Sequence, residues 1–304
     1  MRFNQVRDFL AIVDAGSIRA AARLQGVTHP ALTKSLRQLE EELGVELIRR
    51  STRGIALTPM GRAFAARARA IQAEIRKAEE ELAALSAPGG GMVSVGLSPT
   101  AIPFAADALA EFLEQHPLVR MRVVEGPPSV LVPMVRDETL DFAIAQKTRL
   151  TAGAGLRFRP LYRDRMTIAC RTDHPARHAK SIDTLADLCW LGLNPQGTGS
   201  LVEQIFASAG KPFPRRFVQC ESFAFAFELM ARTDAVMPVS APILASPAAV
   251  GRMTEIRIEP ALPPLVLGLC SRQDVRPTPS AALLAKSMAE RLLGAAARTA
   301  KQAR

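Results

Sequence analysis

Residues 17–44 read SIRAAARLQGVTHPALTKSLRQLEEELG, and this stretch decides the first domain. Ser17 is placed to cap a helix over Ile18–Gln25, on which Ile18, Ala21, Ala22 and Leu24 share a face suited to a core. Gly26 supplies the stop, and Val27 is expected to pack beneath the turn. Thr28 then caps a further helix with Pro30 in its first turn, where a missing N–H costs nothing. Its buried side is Ala31, Leu32, Ser35, Leu36 and Leu39, and it runs to about Leu43. Upstream, Val6, Phe9, Leu10 and Val13 recur at helical spacing before Asp14-Ala15-Gly16-Ser17 breaks the pattern. Two helices joined by a short glycine-containing turn make a helix-turn-helix.

On that reading Thr28, His29, Pro30, Thr33, Lys34 and Arg37 occupy the start and outer face of the third helix, the part that enters a DNA major groove. Val45 to Arg50 and Gly54 to Leu57 pair as a hairpin, a wing carrying Arg50 and Arg53 toward the backbone or minor groove. Residues 49–69 hold six arginines and no acidic residue, a local field suited to phosphates. A small helical bundle with a solvated basic face explains the spacing nearly as well.

After Thr58 and Pro59 a helical pattern continues to about Ala87. Phe64, Ala68, Ile71, Ile75, Ala78, Leu82 and Leu85 alternate by four and three residues, which is a heptad seam and predicts a dimer. Pro88-Gly89-Gly90-Gly91 breaks it and supplies a hinge. Downstream, short apolar runs alternate with helical ones. Strands are expected at Met92–Leu97, Val119–Glu125, Leu140–Ala145, Met166–Cys170, Trp190–Leu193, Ala235–Pro238 and Met253–Ile258, with a final helix over Ser280–Ala297. This alternation predicts parallel sheets covered by helices, in two lobes. The expected fold class is α/β, with an all-α winged helix-turn-helix and linker helix ahead of a two-lobed α/β domain. The expected domains are 1–58, the linker helix 59–87, the hinge 88–91 and a domain 92–304, with lobe I about 92–162 and 268–304 and lobe II about 163–267.

In open α/β sheets ligands bind beyond the carboxyl ends of strands, where helix N-termini present N–H groups. Ser98, Pro99 and Thr100 follow the first strand, Gly126 and Ser129 the second, and Gln146 and Lys147 the third. Gln196, Gly197 and Thr198 precede one helix, and Ser222 and Phe223 another. Their convergence would form a cleft rich in N–H and hydroxyl donors, suited to a small organic anion. Each hydroxyl has an ordinary use as a helix cap instead.

The balance of 39 Lys and Arg against 29 Asp and Glu, a net charge of +10, favours polyanionic partners. No apolar run reaches bilayer length and Met1-Arg2-Phe3-Asn4 does not resemble a secretory leader, so a cytoplasmic protein without a membrane role is expected. Cys170, Cys189, Cys220 and Cys270 read as reduced core residues, with a Cys189–Cys220 redox pair as the alternative. With four histidines and no H-E-x-x-H, G-x-x-x-x-G-K-[ST] or G-x-S-x-G pattern, no enzyme, cofactor or metal site is expected. His174 and His178 are four apart, but Pro175 disfavours the helix that would align them.

Ala20-Ala21-Ala22-Arg23-Leu24, Thr28-His29-Pro30-Ala31-Leu32-Thr33, Leu39-Glu40, Leu43-Gly44, Leu47, Arg49-Arg50, Arg53-Gly54 and Leu57-Thr58-Pro59-Met60-Gly61 together resemble the DNA-binding domain of LysR-type transcriptional regulators. Leu140-Asp141-Phe142-Ala143-Ile144, Pro160-Leu161-Tyr162, Asp173-His174-Pro175 and Pro238-Val239-Ser240 more loosely resemble that family's effector domain, itself similar to periplasmic solute-binding proteins. Here Thr28-His29 stands where the family usually has Ser-Gln, and imidazole lacks the bidentate amide contact to adenine. Ile48 stands where an aromatic residue is common. The resemblance implies a dimer or tetramer on double-stranded DNA that senses a small effector and regulates a metabolic operon, with RNA polymerase a candidate partner. The alternative is a small-molecule-binding protein or enzyme with no DNA role.

Because phosphate contacts set affinity and helix contacts set preference, Arg53→Ala should weaken binding to every duplex, whereas His29→Gln should change the ranking of sequences. Parallel titrations on specific and random duplexes decide this, and equal effects of both substitutions would reject the division.

Overall fold

A computed structural model describes residues 1–51, 54–86, 90–194 and 200–302, the side chains of 50, 51, 80, 81, 83–86, 164 and 297–302 excepted. Two compact units emerge. The first is Met1–Ser86 together with Asp137–Thr139, and the second holds the remaining described residues.

The first unit consists of α1 (Phe3–Ala15), α2 (Ile18–Gln25), α3 (His29–Leu43), the hairpin β1 (Ile48–Ser51) and β2 (Gly54–Leu57), and α4 (Pro59–Ser86). Gly16, Gly26 and Gly44 end the first three helices at φ of 64°, 66° and 68°, a backbone state that side chains with a Cβ disfavour. Ser17 and Thr28 accept from the N–H groups of Ala20 and Ala31, so both capping expectations hold. Phe9, Leu32, Leu39 and Leu47 fill the core, with Phe64 edge-on to Phe9 at 5.3 Å. Leu24 and Val27 do not join it: Leu24 is 81% exposed and Val27 43%, while Ile18, Ala21 and Ala22 form the buried face of α2. Ala31 is exposed as well, and Ser35 instead donates to Asp8 Oδ2 at 2.6 Å, tying α3 to α1.

The Leu47 peptide is a junction. Its N–H donates to Glu40 Oε1 at 2.7 Å, and the same oxygen accepts from Ile48 N at 3.1 Å. Its carbonyl accepts from Thr58 N at 3.0 Å, while Thr58 Oγ1 caps α4 by accepting from Gly61 N at 2.9 Å. Gly61 lies so close to the Leu47 carbonyl that a Cβ would collide with it.

In chain order the second unit runs β3 (Gly91–Leu97), α5 (Ile102–Gln115), β4 (Val119–Glu125), α6 (Pro128–Arg136), β5 (Phe142–Gln146), β6 (Leu156–Asp164) and β7 (Met166–Arg171). It continues with α7 (Ile182–Leu185), β8 (Cys189–Gly192), α8 (Leu201–Ser208), β9 (Phe217–Gln219), α9 (Phe223–Met230) and β10 (Ala235–Ser240). Last come α10 (Ala241–Leu244), β11 (Met253–Ile256), β12 (Leu265–Arg272) and α11 (Pro279–Gln302). Two five-stranded sheets result, ordered β4-β3-β5-β12-β6 and β11-β7-β10-β8-β9.

The sheets are mixed rather than all parallel. β3 pairs parallel with β4 and β5, and β8 parallel with β9 and β10. β12 is antiparallel to β5 and β6, and β7 to β10 and β11. The cause is connectivity. The chain leaves the first sheet along β6, turns directly into β7, and returns along β12, so the outgoing and returning strands oppose each other with Leu265 facing Asp164. Nothing in the periodicity of either strand records its direction. Each sheet has its own core. Val95, Ile144 and Leu267 of the first sheet pack with Leu284 of α11 and with α5, while Trp190 sits edge-on to Phe206 at 5.0 Å and donates from Nε1 to Leu185 O at 2.9 Å.

Gly61→Ala should lower the urea stability of the first unit by about 1–3 kcal/mol, the usual range for overpacking a filled site, with α3 and the wing loosening together. Hydrogen exchange confined to α4 alone would count against the junction.

Candidate DNA interface and effector cleft

The recognition face follows from how α3 is held. Leu32, Leu36 and Leu39 are buried, which turns Thr28, His29, Pro30, Lys34 and Arg37 outward, all five exposed. Arg37 pairs with Glu41 one turn on at 2.8 Å, an exposed pair that a phosphate can replace. Thr33 differs from the expectation: its Oγ1 is buried without a partner, so its hydroxyl does not face outward. Arg49 is exposed on β1, and Arg62 is exposed on α4 while donating to Leu57 O at 2.8 Å. The backbone of Arg50 pairs with Ile55 in the wing, its side chain lies outside the described residues, and Arg53 does so entirely.

The second unit holds a cleft of about 580 Å³, open mouth included, between the facing ends of its two sheets. Of the expected ligand residues, Pro99, Thr100, Gln146 and Phe223 line it. Gln146 Nε2 donates to Thr100 Oγ1 at 3.2 Å, and Ser98 Oγ lies 3.0 Å from Thr100 Oγ1, completing a buried relay in which Ser98 stands one step behind the wall. Ser129 does not line the cleft; it donates to Asn194 Oδ1 at 2.9 Å, a bond between the two lobes at the rim.

The other expectations fail for local reasons. Gly126 is buried and stands behind the lining, its N–H held by Leu97 O at 3.1 Å. Lys147 is exposed one residue past the end of β5, its N–H donating to Val266 O at 2.7 Å, and does not line the cleft. Ser222 caps α9 by accepting from Phe225 N at 3.2 Å and does not line the cleft. Phe225 is exposed and Phe227 belongs to the core. Gln196, Gly197 and Thr198 lie outside the described residues. Sequence reading missed Asn194, Leu193, Val239 and the pair Pro127 and Pro128. Leu193 ends an expected strand and Asn194 and Val239 each follow one, so their position was readable, but an apolar wall carries no hydroxyl to mark it.

Comparison with known proteins sharpens both halves. Residues 3–62 match the description "Bacterial regulatory helix-turn-helix protein, lysR family", and residues 86–293 match "LysR substrate binding domain". The chain belongs to the LysR family of bacterial transcriptional regulators. It is similar to the regulator PcaQ of Agrobacterium fabrum, 27% identical over 95% of this chain and 94% of that one. It is similar also to GbpR of Azospirillum brasilense, 28% identical over 78% and 70%. Its fold is shared with full-length CbnR solved with its target DNA, at TM-score 0.63 and 22% identity over 96% of this chain and 100% of that one.

The linker helix of this LysR-family chain departs from a simple seam. Ala68 is fully buried in the core of its own unit, a correction to its assignment as a dimer contact, and half-buried Phe64 packs on Phe9. The upper part of the stripe sits where α4 still crosses α1. Farther along, Ile71 is 41% and Leu82 64% exposed, Ala78 is exposed and Ile75 half-buried, while the Leu85 side chain lies outside the described residues. No helix among the described residues is long and apolar enough to cross a membrane.

His174 is buried, with Nδ1 accepting from Ala176 N at 2.9 Å and Nε2 3.3 Å from Asp234 O, and His178 accepts from Arg177 Nε at 3.0 Å. Among the described residues no His, Cys, Asp and Glu cluster could hold a metal. Burial pushes the Cys170 and Cys270 thiols up to about 11 and raises Cys220 as well. Cys189 and Cys220 lie on one apolar cluster as free thiols, and Cys189 helps to raise Cys220.

At pH 7 the reactive thiolate of Cys170 or Cys270 is roughly one part in ten thousand, so alkylation of the native protein should mark half-exposed Cys189 first. Peptide mapping showing Cys170 or Cys270 labelled as fast as Cys189 without denaturant would contradict this burial.

Proposed function

We propose that this regulator is a cytoplasmic homodimer, able to associate further into a tetramer, that reads a roughly palindromic DNA site through α3 and the wing and responds to a small organic effector in the cleft. The observation that carries the reading is the pairing of two built sites in one chain. One is an outward basic helix face, and the other is an apolar cleft at the carboxyl ends of two sheets, where open α/β folds hold ligands. CbnR, which shares the fold, has been solved with its target DNA, and this supports placing α3 against the duplex. Thr28, His29, Pro30, Lys34 and Arg37 are the proposed groove and phosphate contacts, with Arg50 and Arg53 on the wing. The effector is held by Pro99, Thr100, Gln146 and Phe223, steadied by Ser98.

Regulation requires that the effector bind one arrangement of the two lobes better than another. β6 and β12 are the two crossings about which the lobes move, and the Ser129–Asn194 bond is the contact that movement would break. The regulator works by binding rather than turnover, and RNA polymerase is its downstream partner.

Dimerisation is assigned to the exposed end of the α4 stripe, Ile71, Ile75, Ala78 and Leu82, with Leu85 continuing it. The doubly substituted Ile71→Glu, Leu82→Glu chain should sediment as a monomer at micromolar concentration and lose on the order of a hundredfold in affinity for a two-half-site duplex, as loss of bivalency implies. A wild-type monomer that still footprints two half-sites would overturn the assignment.

A further inference from the structure

Residues 142–163 hold five cations, Lys147, Arg149, Arg157, Arg159 and Arg163, and no acidic residue. All five are exposed, and none is engaged by an acid among the described residues. Arginines around this stretch do find acids: Arg165 pairs with Glu255 at 2.8 Å, Arg171 with Asp234 at 2.8 Å, and Arg272 with Asp274 at 2.6 Å. The fold gathers the five. β6 is an edge strand of the first sheet, so no further strand covers its flank. Arg157, Arg159 and Arg163 lie along it, the first two separated by roughly 7 Å of extended backbone. Lys147 N donates to Val266 O, and Val266 faces Arg163 across the β12–β6 ladder, so Lys147 stands level with Arg163. Arg149 sits on the connection between β5 and β6, directly before the helical turn Leu150–Ala152.

Like charges gathered without counter-charge repel one another, and a dense polyanion relieves that cost. Which polyanion follows from what accompanies the cations. A protein partner calls for an apolar centre within a polar rim. Leu150 is the only large apolar side chain exposed in the run, and Ala152, Ala154, Gly155 and Pro160 make up the rest of its uncharged exposed surface. A single strand calls for exposed rings on which bases stack, whereas Tyr162 is buried and Phe158 packs against the cluster that holds Leu131 and Val135 of α6. A duplex backbone needs neither. Each of its strands offers a phosphate per about 3.4 Å of axis, dense enough to meet every cation here. We propose that the β6 edge, with Lys147 and Arg149, is a second DNA-binding surface, one that holds the duplex backbone without reading its sequence. It adds to the recognition face on α3 and rests, like that face, on double-stranded DNA being the partner.

Anisotropy titrations of the full chain on a random-sequence duplex of about 60 base pairs, from about 0.05 to 0.2 M salt, test this. Arg157→Gln, Arg159→Gln and Arg163→Gln combined should flatten the dependence of log K on log salt by about 2 to 3, since each phosphate contact contributes about 0.9. Affinity at the low-salt end should fall at least about tenfold. The same three positions changed to lysine keep their charge and should behave as wild type. A control triple in the other lobe, the exposed Arg177→Gln, Arg215→Gln and Arg216→Gln, removes equal charge and should leave the slope nearly unchanged. On the unsubstituted protein, the duplex should slow acetylation of Lys147 severalfold. An unchanged slope in the β6 triple, an equal loss in the control triple, or Lys147 acetylated as fast with DNA as without would overturn the proposal. So would unchanged DNA binding alongside lost binding to polyglutamate, which would assign the edge to an acidic protein. The α3 reading is tested apart, because Lys34→Ala with Arg37→Ala should weaken binding to the same duplex while the β6 edge is intact. A wild-type chain that ignores the duplex at low salt would overturn both.

Discussion

The antiparallel pairing of β6 with β12 is the constraint on which the second unit depends. The described chain passes from one sheet to the other twice, and both passages belong to this ladder, where Leu265 faces Asp164 and Arg272 faces Leu156. Holding outgoing and returning strands side by side fixes the parallel strands of each sheet to point their carboxyl ends at the same gap. Helix α11 then closes over the first sheet, so the lobe is built from segments nearly two hundred residues apart in sequence. At the register shift between Leu267 and Gly268, a glycine sits where a Cβ would strike the Arg159 carbonyl and the Phe158 ring, so the strand bends without opening the ladder. A cleft between lobes is the consequence of this geometry, and its wall is whatever residues end the strands.

The first unit shows why its architecture was legible before any coordinates. Each of its boundaries is chemical: Ser17 and Thr28 open helices, Gly16, Gly26 and Gly44 close them, and Thr58 caps the linker. These residues act on neighbours three to five positions away, so their meaning is local. The Leu47 junction is different. Glu40, Leu47, Thr58 and Gly61 meet because α3, the wing and α4 converge, and the length of a Glu side chain says nothing of which N–H groups it will find. In the second unit strand and helix positions were readable from apolar runs, whereas strand direction and β6 itself depended on pairing partners far away in sequence.

Individual site residues were less legible than elements, for a related reason. A serine before a helix reads identically whether its hydroxyl serves the helix or a ligand. Ser200 and Ser222 serve helices, and Thr33 turns its hydroxyl inward, so in each case the nearest backbone or packing demand took precedence. Gln146, the last residue of β5, lines the cleft, and there its place at a strand end sufficed, whereas Lys147 just beyond the strand is exposed and does not.

Burial also divides the chemistry of the protein. Its excess positive charge lies on surfaces, with exposed Lys34, Arg37, Arg49 and Arg62 displayed on the first unit, whereas the described wall of the cleft is uncharged. The two sites therefore answer to different forces. Contact with a duplex gains from long-range attraction that salt screens, whereas an uncharged cleft offers mainly the burial of carbon, which salt leaves nearly untouched. Raising ionic strength should then loosen the DNA while sparing the effector, so any salt dependence in effector binding reports coupling between the sites rather than the cleft itself.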